Sequence, residues 1–228
     1  MIKAIVFDFD GVLLDSVDIK TRAFAKLFES YGEKVVKRVV EYHLKNGGVS
    51  RYDKFRHYYK EYLGQELDDK WLEDMCNKFS DIVFEEVLKT NFIDGAKEFI
   101  ERYFMKYQFY IVSGTPEDEL KIIVRLKGLE KYFKGIYGSP ARKGEILKKL
   151  IKLDFLKPAE VVFVGDSITD FNAAVAANVN FVGVDSGKTT VIEGKRYLFP
   201  PQTVVIKNLL GIEMLICPIQ QNSSDCKK

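Results

Sequence analysis

The sequence predicts an α/β protein, a parallel sheet with a helical unit inserted after its first strand. Two observations carry that expectation. Short apolar runs that end in polar, glycine-containing loops recur along the chain and alternate with helical periodicities. Between the first and second of these runs lie some seventy residues of helical pattern with no strand among them.

The first run, Ala4 to Val12, reads Ala-Ile-Val-Phe-Asp-Phe-Asp-Gly-Val. Its β-branched and aromatic residues suit a strand buried on both faces. It ends in Asp8, Asp10 and Gly11, and loops at the carboxyl ends of parallel strands carry ligand sites. A helical stripe of Ala23, Phe24, Leu27, Phe28 and Tyr31 follows Asp15-Ser16 and stops at Gly32. Helical patterns continue through Val35 to Leu44, Tyr52 to Leu63 and Asp69 to Leu88, and Lys89 to Asp94 reads as a return linker. A helix from Gly95 to about Lys106 leads into a strand, Phe109 to Val112, which ends in Ser113-Gly114-Thr115-Pro116. Pro116 opens a helix that Gly128 closes. Phe133 to Tyr137 reads as a short strand and Lys143 to Leu153 as a helix. The buried run Val161 to Val164 ends in Gly165-Asp166-Ser167-Ile168-Thr169-Asp170, and an alanine-rich helix continues to Ala177. Phe181 to Val184 is expected as a strand, and Val204 to Ile206 with Leu209 to Leu215 as a last strand and helix. Residues 217–228 read as a flexible polar tail. The expected division is therefore 1–15 with 93–216 as an α/β core and 16–92 as an inserted helical cap.

Composition excludes several classes. The 228 residues are 46% hydrophobic and 30% charged, with a formal net charge of +2. That balance fits an ordinary globular chain. Lys and Arg are interspersed with Asp and Glu, so no basic footprint for nucleic acid is present. No apolar run has transmembrane length, and no signal-peptide pattern precedes the first strand. The expected setting is cytoplasmic and membrane-free, as a monomer or weak homodimer. Cys76, Cys217 and Cys226 are odd in number and widely spaced, and read as reduced thiols. His43 and His57 lie on helical segments without a partnered carboxylate in sequence and read as packing or surface residues.

The chemistry collects at strand ends. Asp8 and Asp10 repel each other unless a cation or a shared proton intervenes, and a hard cation such as Mg²⁺ is one remedy. Ser113 with Gly114 and Thr115 ends a second strand, Asp166 and Asp170 follow a third, and Arg142 with Lys143 occupies another loop. In order along the chain, Asp8-Phe9-Asp10-Gly11, Ser113, Lys143 and Gly165-Asp166-Ser167-Ile168-Thr169-Asp170 closely resemble the four motifs of the haloacid dehalogenase superfamily. The resemblance implies a Rossmann-like, doubly wound core spanning residues 1 to 14 and about 93 to 215. Within that family a second aspartate at the position of Asp10 marks phosphatases and phosphomutases.

The resemblance also implies roles. Asp8 attacks phosphorus and forms an aspartyl phosphate, which divides one difficult displacement into two easier ones. Asp10 protonates the leaving alcohol and then deprotonates the attacking water. Mg²⁺ is held by Asp8, the backbone carbonyl of Asp10 and Asp166, with Asp170 orienting that shell or binding through water. Ser113 and the Gly114 N–H hold a phosphate oxygen. Lys143 brings a positive charge, with Arg142 as its competitor, because the surrounding Ser139-Pro140-Ala141-Arg142-Lys143 departs from the usual lysine segment of the family.

In the inserted unit, Gly47-Gly48-Val49-Ser50-Arg51 resembles the specificity loop of β-phosphoglucomutases, which nominates Arg51 for substrate contact. Those mutases carry a histidine twelve residues after the nucleophile, where this chain has Lys20. The expected activity is a Mg²⁺-dependent phosphatase of a small phosphorylated metabolite, phosphoglycolate-like or sugar-phosphate-like. The alternatives are a phosphosugar mutase and a binding protein on the same scaffold.

Overall fold

In the computed structural model of the chain, residues 1–185 and 199–216 are described. The tail from residue 217, with Cys217 and Cys226, lies outside them. The sheet has six parallel strands: β1 (Ala4–Phe7), β2 (Gln108–Pro116), β3 (Gly135–Ser139), β4 (Val161–Gly165), β5 (Asn180–Val184) and β6 (Val204–Ile206). Their spatial order is β3-β2-β1-β4-β5-β6, a doubly wound α/β arrangement with the first strand at its centre. The chain turns from one half of the sheet to the other beside β1, and in open sheets that switch point is where ligands bind.

Side-chain alternation along β1 explains the two layers. Ile5 and Phe7 face one apolar cluster with Phe99, Ile100, Leu120 and Ile123, while Ala4 and Val6 face the other with Leu147, Leu150, Ala173 and Ala174. Helices α5 (Ala96–Tyr103) and α6 (Glu117–Leu126) cover the first face, and α7 (Lys143–Leu153) and α8 (Ile168–Ala177) the second. A short α9 (Glu213–Ile216) follows β6. All four residues of β1 are fully buried, which is why the strand reads as unbroken apolar sequence.

The stretch without strands forms four helices: α1 (Val17–Leu27), α2 (Glu33–Lys45), α3 (Arg51–Tyr58) and α4 (Asp69–Lys89). Ser50 caps α3 and Asp68 caps α4 through their side chains. Their shared core is aromatic: Phe24, Phe28, Phe55, Tyr58 and Phe79 are buried, and the Phe24 and Phe79 rings lie 4.3 Å apart. Trp71 is half-exposed and packs its ring edge against Tyr59.

Several boundaries differ from the sequence expectation, each for a local reason. The end of the first strand does not differ: it stops at Phe7, with Asp8 at the strand end as expected, and Leu13 and Leu14 both donate to the Phe9 carbonyl and fold residues 9–14 into a tight loop around Gly11. Phe9, Val12, Leu13 and Leu14 are therefore core residues of a loop. The first helix ends at Leu27, and a 3₁₀ turn carries the chain to Tyr31. The third strand starts two residues late, since Glu130–Tyr132 is wound into another 3₁₀ turn. The second strand continues through Ser113 to Pro116, with a register shift against β3 in that segment.

Candidate active site

The site begins where β1 ends. The Asp8 N–H donates to the Val164 carbonyl at 2.8 Å, so its backbone is pinned between β1 and β4. Its Oδ1 accepts from the Phe9 N–H at 2.7 Å, and its Oδ2 lies 2.9 Å from Lys143 Nζ. Lys143, first residue of α7, also donates to Asp170 Oδ1 at 2.6 Å. Asp170 spends its other oxygen on the N–H and hydroxyl of Ser167, which caps α8. One buried ammonium thus bridges two buried carboxylates drawn from three elements. Arg142 is exposed and stands at the helix cap. Between the two cations the sequence left open, Lys143 is the one brought to Asp8.

Asp166 completes the group. Carboxylate oxygens of Asp8, Asp166 and Asp170 all lie within 4.8 Å of one another. Gly11 makes that approach feasible: its φ is +75°, and a Cβ there would sit 2.0 Å from Asp166 Oδ2. Crowding of three carboxylates has the expected electrostatic result. Burial, then the charge of Asp170, pushes Asp8 up to about 7 despite Lys143. Burial, then Asp8 and Asp170, holds Asp166 well above the usual carboxylate range. Burial works against the Lys143 ammonium, but Asp170 and Asp8 outweigh it and raise its pKa. An all-oxygen set of carboxylates that repel one another fits a hard divalent cation.

Asp10 faces elsewhere. Because the loop turns at Gly11, its carboxylate does not share the direction of Asp8, as a fully extended chain would require. It accepts from Ser16 Oγ at 2.5 Å, from Lys20 Nζ at 2.5 Å and from Thr115 Oγ1 at 3.0 Å. Burial alone would raise its pKa; the Lys20 ammonium and these hydrogen bonds more than offset that and lower it. Lys20 reaches Thr115 as well, at 2.7 Å. Ser113 is buried within β2, three residues before its end, and its Oγ accepts from the Thr115 N–H at 3.1 Å.

The helical unit meets these strand ends directly. Thr169 Oγ1 donates to the Gly47 carbonyl. A Cβ at position 114 would lie 2.5 Å from the Gly48 carbonyl, and a Cβ at position 48 would lie 2.8 Å from Lys143 Nζ. Glycines therefore occupy both sides of the contact, and the loop before α3 is pressed onto the site. Arg51 borders the cavity but is buried, its guanidinium held by Glu119 of α6 at 2.9 and 2.7 Å and by Ser80 of α4 at 2.5 Å. The enclosed space measures about 440 Å³, the size of a small-metabolite pocket.

Three cavity residues went unassigned in the sequence reading. Thr115 and Lys20 bind Asp10, and Lys54 of α3 also lines the cavity. Lys54 had a signal: with Arg51, Phe55 and Tyr58 it forms the buried i, i+3, i+4, i+7 stripe of α3, a lysine at a position that periodicity reserves for apolar residues. His43 was read as packing or surface; it is buried against Phe24 but also lines the cavity and binds Lys54. His57 is a packing residue, stacked on Tyr42 at 3.8 Å. Cys76 is a buried free thiol, which burial raises to about 11.

The switch point of the doubly wound sheet gathers buried aspartates, a lysine and a serine beside the helices of the inserted stretch. The chain belongs to the haloacid dehalogenase-like hydrolase family, whose family model matches residues 5–184. It is 26% identical over 228 residues to the phosphorylated carbohydrates phosphatase of Thermotoga maritima, covering 91% of this chain and 100% of that one. It is 28% identical over 195 residues to the phosphoglycolate phosphatase of Photobacterium profundum, covering 82% and 84%. Among solved structures, a haloacid dehalogenase-like family hydrolase from Streptococcus pneumoniae superposes with a TM-score of 0.67 at 17% identity, covering 94% and 98% of the two chains.

Proposed function

We propose that this hydrolase is a Mg²⁺-dependent phosphatase of small phosphomonoesters that works through an aspartyl phosphate on Asp8. The observation that carries the reading is the Lys143 bridge. A carboxylate held by an ammonium at 2.9 Å, with two further acids crowded behind it, is a preset nucleophile beside a cation for phosphate oxygens. Names of the relatives, one a phosphatase of phosphorylated carbohydrates and one of phosphoglycolate, support the reaction class and bracket the substrate.

In this reading the ester's phosphate sits against Asp8, with Ser113, the Gly114 N–H and Lys143 on its oxygens. Asp8 attacks phosphorus and the bond to the ester oxygen breaks; Asp10, entering this step protonated, gives that oxygen its proton and is left as the carboxylate that Lys20 holds. Asp10 then takes a proton from the water that cleaves the aspartyl phosphate. Thr115, Ser16 and Lys20 fix the Asp10 side chain, and their hold on its carboxylate form favours release of the proton. Asp8, the Asp10 carbonyl and Asp166 would hold Mg²⁺, which supplies positive charge to the transferring phosphoryl group. Asp170 positions Lys143 and supports that set from behind.

Residues 16–92 act as a cap on the α/β core, and closure of the loop at Gly47 and Gly48 excludes bulk water from the phosphate. Arg51 contacts the distal end of the substrate, which competes with Glu119 for the guanidinium. No described helix is long and apolar enough to cross a membrane, and a small phosphorylated metabolite suits a cytoplasmic monomer or weak homodimer.

Phosphate release from a panel of phosphomonoesters, with and without Mg²⁺, for the wild type beside Asp8→Asn tests the reading. Metal-dependent release that the variant lacks is expected. Transfer of phosphate between sugar positions in place of release would replace the phosphatase with a mutase.

A further inference from the structure

The cations around the cavity are not equally served. Lys143 is matched by Asp8 and Asp170, Lys20 by Asp10, and Arg51 by Glu119. Lys54 is different. Its ammonium, on a residue only 2% exposed, bonds the Nδ1 of His43 at 2.8 Å, and among the described residues no carboxylate stands within ion-pair distance. Its aliphatic stem runs past the Phe24 ring, with Nζ 5.6 Å from the ring centre. His43 adds no negative charge. Burial, then the Lys54 charge, holds its pKa well below the ordinary imidazole value, so the ring is neutral. Its other ring nitrogen, Nε2, is buried beside the Val17 backbone.

A buried cation with no counter-charge is costly. Burial accordingly brings the Lys54 ammonium down to about 7, with Lys20 adding to the effect and the more distant Asp10 working against it. Lys54 lines the same cavity as Asp8, Asp10 and Asp166. An ester in this cavity with its phosphate on Asp8 and Lys143 shares the space with Lys54, a lining cation that no carboxylate among the described residues pairs.

We infer that the substrate carries a second anionic group, a carboxylate or a second phosphate, and that Lys54, backed by His43, is the residue that selects for it. This inference rests on the phosphatase reading of the same site. The incoming anion supplies the counter-charge that the protein omits, and binding by a charged, desolvated donor discriminates strongly against a neutral end group. A cavity of about 440 Å³ accommodates both groups of a small metabolite.

The test compares esters of matched length under Mg²⁺: phosphoglycolate, 2-hydroxyethyl phosphate and ethane-1,2-diol bisphosphate. The wild type should favour at least one charged ester over the neutral one by about ten- to hundredfold in kcat/KM. Lys54→Met should bring that ratio toward one, chiefly through KM for the charged ester, and Lys54→Arg should restore part of it. Whichever charged ester loses more in Lys54→Met identifies carboxylate or phosphate as the group received. A wild-type ratio near one, or a ratio unchanged in Lys54→Met, overturns the inference, and the wild-type ratio decides even if that variant does not fold. Turnover of the neutral and charged esters alike removes this inference alone. Failure to turn over any of the three, or other phosphomonoesters, removes the phosphatase reading as well.

Discussion

Arg51 and Glu119 form a bidentate ion pair between the start of α3 and the first turn of α6, joining the helical unit to the sheet's own helices. Ser80 of α4 closes the triangle by donating to Glu119 at 2.6 Å. Both charged side chains are largely out of solvent, at 4% and 11% exposure, so the pair is not the weak surface kind. The contact stands beside the cavity mouth, where it couples seating of the helical unit to assembly of the site.

Removing one partner should therefore cost stability. Burial alone would raise the Glu119 pKa, but Arg51 and Ser80 outweigh it and hold the carboxyl below its ordinary value. A depressed folded-state pKa contributes stability that is present above the unfolded value and lost as pH falls through the folded one. Glu119→Gln should lower the unfolding free energy by about 2 kcal/mol at pH 7, because Gln keeps an acceptor oxygen but loses the charge. The gap from the wild type should close as acid protonates Glu119. Urea unfolding at neutral and acid pH checks both the size and the sign.

Lys143 and Arg142 are neighbours in sequence with opposite fates, and their variants should separate accordingly. Lys143→Met leaves Asp8, Asp166 and Asp170 crowded without their shared cation. It should lose about 3 kcal/mol of stability and at least about 100-fold in kcat/KM. Arg142→Ala, at an exposed cap position, should stay within about 0.5 kcal/mol of the wild type. Unfolding curves and steady-state kinetics on the two variants read this directly.

Lys54 predicts a trade of function against stability. Its pKa is about 7 in the folded protein, against an ordinary 10.5. A lysine with a lowered folded-state pKa destabilises fully below that value, and the penalty fades as pH rises toward 10.5. Lys54→Met should therefore stabilise the protein by about 1–3 kcal/mol at pH 6 while weakening selection for charged esters. The gain should shrink between pH 7 and 10. A destabilised variant at pH 6 would mean that the ammonium is better served by its surroundings than its contacts indicate.

Much of the fold was legible because parallel strands buried on both faces leave continuous apolar runs, as Ala4 to Phe7 and Val161 to Val164 do. The limits of those runs were less legible. Phe9, Val12, Leu13 and Leu14 are as apolar as the strand before them, yet a turn set by hydrogen bonds to the Phe9 carbonyl places them in a loop. The candidate site was readable where a residue follows an apolar run, as Asp8 and Asp166 follow their strands and Ser113 follows Phe109 to Val112 within its own. What came from the helical unit was not. His43 and Lys54 lie eleven residues apart on different helices, and only the packing of α2 against α3 makes them partners. Arg51 was found by motif, but its tie to Glu119 spans 68 positions and leaves no local pattern.

If Asp8 carries the phosphoryl group, Asp10→Asn should expose it. With Mg²⁺ and 4-nitrophenyl phosphate, whose leaving group needs no proton from Asp10, that variant still forms the intermediate but lacks the base that activates water, so the intermediate should accumulate. Acid quenching followed by peptide mass spectrometry should find one added phosphoryl group on the peptide containing Asp8, and none after Asp8→Asn is combined with it. A peptide mass unchanged at Asp8 during turnover, or a phosphoryl group on another residue such as His43, would contradict the account.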